Sequence, residues 1–207
     1  LKRVYRMDDG SVPGMSASVQ GLPPVDDDPD KVVYLAFTSG TTGSPKGVLH
    51  SDNTLLANGR AMVHDWHHDD KTVLYSMSPL SHHIATVAIA QSLAAGCELV
   101  VNDPPPGKKP LDWIVETGAT YVMGVPTHAI DLLAAARARG EAKLGAVEIF
   151  YMGGAAIPRE VVRELRGMHI MPQNVYGMTE NSSHQYTHPD DSHEIMATTC
   201  GRGGKAY

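Results

Sequence analysis

The stretch VVYLAFTSGTTGSPKGV, residues Val32–Val48, joins an apolar run to a loop of small and hydroxyl-bearing residues. The run Val32–Phe37 is rich in β-branched and aromatic residues, which predicts a buried strand. In the loop, glycines let backbone N–H groups turn toward a ligand, hydroxyls donate hydrogen bonds, and Lys46 adds a positive charge. Ser51 and the polar residues after it suit a helix N-cap. The stretch therefore predicts a strand, a phosphate-binding loop and a helix, in that order.

Two better-known phosphate loops do not fit this spacing. Lys46 is followed by Gly47, whereas the P-loop of NTPases places Ser or Thr after its lysine. A G-x-G-x-x-G dinucleotide fingerprint is absent, because Gly40 and Gly43 lack a glycine in the required place. An ordinary surface loop of small polar residues is the remaining alternative. It explains neither the strand before the loop nor the lysine directly after a proline.

Composition excludes several classes of protein. The chain has 207 residues, of which 42% are hydrophobic and 19% charged, as in ordinary globular proteins. A net charge of −6 without a basic stripe argues against nucleic acid as a partner. No apolar run reaches membrane-spanning length, so no membrane span is expected. Cys97 and Cys200 lie far apart, which predicts free thiols in a reducing, cytoplasmic compartment.

Strand-like and helix-like segments alternate after an N-terminal stretch with little periodicity. Residues 1–30 contain Gly, Pro, Ser and the acidic run Asp26–Asp30, and they predict a connecting segment. The predicted strands are Thr72–Met77, Cys97–Val101, Thr120–Val125, Val147–Met152 and Ile170–Val175, and the predicted helices are Ile84–Ala95, Leu111–Thr117, Pro126–Arg139 and Pro158–Arg166. The alternation predicts an α/β fold: a doubly wound, mostly parallel sheet with helices on both faces.

Unusual residues cluster where the predicted strands end, which is where such sheets bind ligands. Gly153 and Gly154 follow an apolar strand and would let a flat ligand lie against bare backbone, although a tight turn is the plain alternative. Tyr176 beside Gly177 suits stacking on a purine ring. Thr179 and Glu180 are natural partners for a phosphate oxygen and for Mg²⁺.

The histidines leave a second hypothesis open. His64 and His68 are spaced to share one helical face, as zinc ligands do, and His184, His188 and His193 form a second group. The sequence supplies no H-E-x-x-H glutamate, and such groups are usually solvated faces. A metal-dependent hydrolase is kept as an alternative on these residues. The pair His82–His83 is spaced to start a helix, where capping is the ordinary role.

Four stretches together resemble a known family. Thr38–Val48 is similar to the phosphate-loop signature of the adenylate-forming (ANL) superfamily, which includes acyl- and aryl-CoA synthetases, adenylation domains and luciferases. Asn174–Glu180 resembles its second diagnostic motif, and Gly153–Pro158 resembles its adenine-side loop. Pro79–His82 resembles its acyl-pocket loop, with Ser81 in place of the usual aromatic residue. The order of all four agrees. Residues 31–207 are therefore identified as part of an AMP-binding domain, the central portion of the family's large domain.

The resemblance implies an activity and its cofactors. It implies an AMP-forming acid–CoA ligase, in which ATP activates a carboxylic acid to an acyl-adenylate and coenzyme A then displaces AMP, with Mg²⁺ as the metal. Fatty acid metabolism is the implied setting. A nucleotide-binding module without turnover stays as an alternative. The acid itself (fatty, aryl or alicyclic) is left open.

The resemblance also implies roles for individual residues. Lys46, Thr179 and Glu180 would be catalytic, with Glu180 holding the metal, and His82, Met152 and Ala156 would line the acyl pocket. The implied ATP- or AMP-binding residues are Thr38, Ser39, Gly40, Thr41, Thr42, Gly43, Lys46, Gly153, Gly154, Ala155, Asn174, Tyr176, Gly177, Met178 and Thr179. Family members are much longer and end in a small lid domain with a catalytic lysine. We therefore expect residues 1–207 alone to be inactive, and we consider a homo-oligomer possible.

Overall fold

A computed structural model describes residues 27–39 and 43–204. The connecting segment predicted for residues 1–30 lies almost wholly outside them. The elements, in chain order, are β1 (Val32–Thr38), β2 (Lys46–Ser51), α1 (Asp52–Trp66), β3 (Val73–Ser76), α2 (His83–Ala95), β4 (Glu98–Val101), α3 (Pro110–Thr117), β5 (Tyr121–Gly124), α4 (Pro126–Arg139), β6 (Ile149–Met152), α5 (Arg159–Gly167), β7 (Met171–Met178), β8 (Ser182–Tyr186), α6 (His193–Thr198) and β9 (Arg202–Gly203).

Within the described residues, seven strands form one sheet in the order β4-β3-β5-β6-β7-β8-β9. The strands from β4 to β7 are parallel, and each is joined to the next along the chain by one of the helices α2 to α5. Strands β8 and β9 run antiparallel at one edge. The order reverses at β3, because the chain first steps outward to β4 and then back to β5. This is the predicted mostly parallel sheet.

Helices cover both faces, because successive side chains of each strand point to opposite sides. On β3 and β6, Tyr75 and Phe150 pack in one apolar cluster with the buried faces of α3, α4 and α5. Their chain neighbours Leu74 and Tyr151 pack in a second cluster with α1 and α2. Each large apolar side chain buried in this way contributes about 1.5–3 kcal/mol. The doubly wound arrangement is confirmed.

Helix ends follow the expected capping chemistry. Ser51 is the N-cap of α1 and forms a capping box with Thr54, as its hydroxyl and the polar residues after it predicted. Helix α4 runs over the predicted residues, from Pro126 at its first turn to Arg139. It ends at Gly140, which has φ 67, a left-handed conformation that glycine adopts without steric cost.

The first strand differs from its prediction. Strand β1 pairs antiparallel with β2 in a separate two-stranded sheet, and Phe37 is 70% exposed, so the predicted burial of Val32–Phe37 is wrong. The predicted strand–loop–helix order is wrong as well. The glycine-rich loop connects the two strands of this hairpin, and α1 begins only after β2. Composition could not separate a buried parallel strand from an exposed hairpin strand, since both use the same β-forming residues.

The end of the sheet also differs. Strand β7 continues past the predicted end at Val175 to Met178, because β8 pairs with it. Tyr176 and Gly177 therefore lie in a strand and not in a loop. Strand β8, Ser182–Tyr186, carries mostly polar residues and no β-branched run, so nothing in its composition predicted it.

Candidate active site

The predicted motif stretches meet around one cavity of about 650 Å³ at the carboxyl ends of the parallel strands. The hairpin, the loop before α2, the loop after β6 and the β7–β8 turn all contribute. The lining residues are Thr38, Ser39, Lys46, His82, His83, Ile84, Val87, Tyr151, Gly153, Gly154, Gly177, Met178, Thr179, Glu180, Ser182 and Ser183. The prediction that these loops come together is confirmed, although one of them belongs to a hairpin outside the main sheet.

The hairpin brings a hydroxyl and an ammonium group to this cavity. Thr38 and Lys46 are paired across β1 and β2, at the end where the glycine-rich loop leaves the strands. Ser39 and the exposed Lys46 line the cavity beside Thr38. Gly43 has φ 84, a conformation that favours glycine. Gly40, Thr41 and Thr42 lie outside the described residues, so their predicted contacts with phosphate remain predictions.

The β7–β8 turn places a hydroxyl and a carboxylate on the same cavity wall. The Asn181 side chain accepts a hydrogen bond from the Met178 N–H at 2.8 Å, and the Asn181 N–H donates to the Met178 carbonyl at 3.2 Å. Thr179 and Glu180 lie between these two residues, and Glu180 is exposed. The cavity therefore carries the cation of Lys46 and the carboxylate of Glu180 on separate elements.

His50 ties the hairpin to this turn. Its Nε2–H donates to the Thr179 carbonyl at 2.6 Å, across 129 residues of sequence. The buried His50 ring stacks on His83, with centroids 4.9 Å apart, and Tyr34 stacks on both rings. Neither His50 nor Tyr34 was predicted as a site residue from the sequence. No motif marks them, because their role depends on three elements that meet only in the folded chain.

His83 is a buried, neutral imidazole beside a serine. Its Nε2 lies 2.9 Å from the Ser182 Oγ. Burial, together with the neighbouring rings of His50 and His82, lowers the pKa of His83 to about 4. Its Nδ1 is buried and has no hydrogen-bond partner among the described residues. Ser182 has φ 55, a left-handed conformation that costs a non-glycine residue about 1 kcal/mol.

A pair of hydroxyl groups lies next to the His83–Ser182 pair. The Tyr151 hydroxyl is 3.0 Å from the Ser183 Oγ, and burial raises the pKa of Tyr151 to about 12, so the phenol stays neutral. Asn58 of α1 holds Ser183 in place: its amide N–H donates to the Ser183 carbonyl at 3.0 Å, and its side-chain oxygen accepts from the Ser183 N–H at 3.3 Å. Neither Tyr151 nor Ser183 was predicted as a site residue from the sequence.

A smaller cavity of about 430 Å³ adjoins the first, with Gly154 and Gly177 lining both. Tyr176, 44% exposed, is its aromatic face. Its lining residues are Gly154, Ala155, Ala156, Ile157, Asn174, Val175, Tyr176, Gly177, Ala197, Thr198, Thr199 and Cys200. The residues predicted to bind the nucleotide are therefore divided: Ala155, Asn174 and Tyr176 line the smaller cavity, and the remaining described ones line the larger cavity, except Gly43.

Two of the three predicted acyl-pocket residues lie elsewhere. His82 lines the larger cavity and also caps α2, where its Nδ1 accepts from the Ile84 N–H at 3.2 Å. Ala156 lines the smaller cavity instead. Met152 has no exposed surface and packs in the apolar cluster on the opposite face of the sheet, so its predicted role in the pocket is wrong. Alternation along β6 explains the error, because Tyr151 and not Met152 faces the cavity.

The histidine groups do not form a metal centre. His64 pairs with the adjacent Asp65, at 2.9 Å between Nδ1 and Oδ1. His68 lies beyond the end of α1, and its ring stacks on Tyr121 at 4.3 Å. Within residues 27–39 and 43–204, no three His, Cys, Asp or Glu side chains are placed to hold a metal ion. The zinc hypothesis is wrong for this part of the chain, and the metal-dependent hydrolase loses its basis.

Neither cysteine forms a disulfide; Cys97 and Cys200 are both free thiols, as predicted. In the described part of the chain, no helix combines the length and the apolar character needed to cross a bilayer.

The sheet, with cavities at the carboxyl ends of its parallel strands, defines a doubly wound α/β protein. The sequence model of the family described as "AMP-binding enzyme" matches residues 3–203, and the chain belongs to this family. The resemblance noted in the sequence, to adenylate-forming enzymes, is confirmed.

Relatives and a solved structure agree with this family. The chain is 31% identical over 163 residues to the medium-chain fatty-acid–CoA ligase of Escherichia coli, covering 78% of this chain and 29% of the relative. It is 31% identical over 184 residues to the human mitochondrial medium-chain acyl-CoA ligase ACSF2, covering 82% and 29%. A structure of an E. coli MenE variant with bound OSB-AMS matches with a TM-score of 0.72 and 25% identity, covering 90% and 39%. The chain thus spans about three tenths of the length of these curated relatives.

Proposed function

We propose that the protein uses ATP to activate a carboxylic acid to an acyl-adenylate and then transfers the acyl group to coenzyme A. The observation that carries this proposal is the convergence of Lys46, Thr179 and Glu180 on one cavity from two distant hairpins. A cation, a hydroxyl and a carboxylate that line one cavity suit a polyphosphate and its metal ion. The CoA ligase names of two relatives support coenzyme A as the acceptor.

The residues of the larger cavity would act on the phosphates. An in-line attack of the acid on the α-phosphate requires the β- and γ-phosphates to be held while negative charge shifts onto pyrophosphate. Lys46 supplies a charge-assisted contact for these oxygens, and the hydroxyls of Thr38 and Ser39 donate to them. Thr179, fixed through its carbonyl by His50, would orient the α-phosphate.

Glu180 fits a magnesium ion. Its carboxylate is exposed on the cavity wall and forms no salt bridge with the described side chains. Hard oxygen ligands of this kind are what Mg²⁺ prefers. Bound there, Mg²⁺ would neutralise charge on the phosphate oxygens. Glu180 itself would hold the ion at the end of the β7–β8 turn.

The smaller cavity suits the adenine ring. Tyr176 offers an aromatic face, and Gly154 and Ala155 leave bare backbone opposite a flat ligand. Because Gly154 and Gly177 line both cavities, a nucleotide with its base in the smaller cavity can extend its phosphates into the larger one. The acid would then enter beside His82.

Acid-dependent exchange of labelled pyrophosphate into ATP tests this proposal, with the natural full-length protein and a panel of fatty, aryl and alicyclic acids. Lys46→Ala should lower kcat/KM for ATP about ten- to a hundredfold, since a charge-assisted contact contributes about 1.5–3 kcal/mol. Lys71→Ala, an exposed lysine before β3 that lines neither cavity, is the matched control. Exchange that needs no acid, or equal rates in both variants, would refute the assignment. ATP binding without exchange would favour a binding module.

Free thiols at Cys97 and Cys200 support a reducing compartment, and we assign the protein to the cytoplasm on that ground. One of the relatives is mitochondrial, so fractionation against markers of both compartments is the appropriate test.

A further inference from the structure

The buried part of the larger cavity contains polar side chains. Its inner wall consists of the lining residues whose side chains are buried: His83, Ile84, Val87, Tyr151, Ser182 and Ser183. Only two of these six are aliphatic. A tail of unsubstituted methylenes would therefore meet the His83–Ser182 and Tyr151–Ser183 pairs as well as the two aliphatic side chains.

The first pair has one hydroxyl hydrogen to spare. The Nδ1 of the neutral His83 ring is buried and has no partner among the described residues, and a proton there would be a buried N–H without an acceptor. We therefore assign the proton to Nε2, where the Ser182 Oγ, 2.9 Å away, accepts it. The Ser182 hydroxyl hydrogen is then not used in this bond. No other acceptor for it lies within hydrogen-bond distance in the described residues. It is available to a ligand in the cavity that Ser182 lines.

The second pair has the same property. Tyr151 and Ser183 share one hydrogen bond of 3.0 Å, and each brings one hydroxyl hydrogen. Whichever residue donates, the hydrogen of the other remains. The Asn58 side chain does not take it up, because both of its bonds go to the backbone of Ser183. The inner wall thus holds two unused hydroxyl hydrogens. One belongs to Ser182, and the other belongs to Ser183 or to Tyr151.

Charge restricts what these donors can bind. The Tyr151 ring packs in the apolar cluster of α1 and α2 with Tyr121 and Met123 and lines the cavity. Among the described lining residues, Lys46 is the one lysine or arginine; it is exposed, and the inner wall has neither. If the acid carried a second carboxylate, that group would be buried at the inner wall without a counter-charge, which is strongly unfavourable. A neutral oxygen is the group that matches two neutral donors.

Resting on the proposed function, we infer that the acid activated by this protein carries a neutral oxygen substituent, a hydroxyl or a carbonyl. This oxygen accepts hydrogen bonds from Ser182 and from the Tyr151–Ser183 pair. This substrate differs from the medium-chain fatty acids that the names of two relatives specify. An unsubstituted tail would displace water from both hydroxyl donors and offer them no acceptor in its place, which is unfavourable.

Paired acids that differ in a single oxygen test the inference. Pyrophosphate exchange is measured with 4-oxopentanoate against pentanoate, 3-hydroxybutanoate against butanoate, and with octanoate and butanedioate, using the natural full-length protein. The wild-type protein should prefer at least one oxygenated acid over its partner about tenfold in kcat/KM, as one to two hydrogen bonds would give. Octanoate and butanedioate should be poorer than that acid.

Variants assign the preference to its residues. Ser182→Ala and Tyr151→Phe should each bring the ratio for that pair toward one. Ser182→Gly should do the same and fits the backbone at φ 55 without strain, so misfolding does not confuse the result. Ser92→Ala, on α2 and bonded to the Ile89 carbonyl, is the control that should keep the ratio. The ratio of two acids in one variant is insensitive to the fraction of active protein.

The possible failures are distinct. A preference for octanoate or for the unsubstituted acids overturns the inference and leaves the proposed function intact. The same holds if the kcat/KM ratio within the acid pair is unchanged in Ser182→Ala and Ser182→Gly. Exchange with no acid overturns the proposed function. In that case, saturation-transfer NMR of the two acid pairs on this chain still decides the inference, because equal binding within both pairs overturns it too.

Discussion

Gly177→Ala should displace β8 from β7 and with it the inner wall of the larger cavity. A Cβ at position 177 would overlap the Ser182 carbonyl oxygen, and it would lie 2.8 Å from the Ser182 carbonyl carbon and 3.0 Å from the Ser183 Cα. Carbon atoms pack best at about 3.5–4.0 Å. All three neighbours are backbone atoms, so no side-chain rotation can make room. Gly177 is therefore required for the packing of β8 against β7, in addition to its proposed place beside the adenine ring.

The expected cost follows from these distances. The two strands must separate by at least about 0.7 Å to bring the carbon–carbon contacts into the normal range. Overpacking of this kind costs about 1–3 kcal/mol, and we expect the upper end, since the paired backbone must move. In a chain of about this size, 3 kcal/mol corresponds to a decrease in Tm of about 6–12 °C.

Thermal unfolding followed by far-ultraviolet circular dichroism measures the effect. Gly167→Ala is the matched control: it is an exposed glycine at the end of α5, and a Cβ there would have no neighbour within 4 Å. This control should be neutral or slightly stabilising, because alanine loses less entropy in a helix. Labelled histidine NMR of Gly177→Ala should also report a changed environment for His83, the partner of Ser182.

A Tm for Gly177→Ala within about 2 °C of that of Gly167→Ala would refute the reasoning. It would mean that β8 does not lie against Gly177 as described. A large decrease in both variants would instead show that α5 is more sensitive than its exposed end indicates, and would remove the control.

Three further predictions address the metal, pH and the helix packing. Glu180→Gln should abolish most adenylation, because the amide keeps the geometry of the carboxylate but not its charge. Raising the Mg²⁺ concentration should partly restore the rate. Wild-type rates of the variant at limiting Mg²⁺ would exclude a metal-binding role for Glu180. Burial lowers the pKa of both His68 and His83 from 6.5 to about 4. Between these two pH values the unfolded chain therefore binds more protons than the folded chain does. The free energy of unfolding should be fully retained above pH 6.5 and should fall by up to about 1.4 kcal/mol per pH unit for each histidine toward pH 4; urea midpoints that agree at pH 7.5 and 5.0 would contradict this. Gly59→Ala should loosen α1 from α2, because its Cβ would lie 2.9 Å from the backbone of Ala90, and a lower urea midpoint is the expected result.

The sequence by itself determined the class of fold and the motif loops. Alternating apolar strands and helices indicated a doubly wound sheet, and local rules located elements such as Pro126–Arg139 between a proline and a glycine. The residues of the phosphate loop and of Asn174–Glu180 were found because their pattern is local. Backbone propensity and spacing act within about ten residues, so a sequence contains this information directly.

Only the tertiary structure decided which residues face the cavities. It placed Val32–Thr38 in an exposed hairpin, turned Met152 away and Tyr151 inward, and paired β8 with β7. His50 contacts Thr179 across 129 residues, and His83 contacts Ser182 across 99. No local pattern encodes these contacts, because they exist only when the sheet brings strand ends together. The burial that makes His83 neutral has the same origin: desolvation depends on every element that packs around a group, and not on its neighbours in sequence.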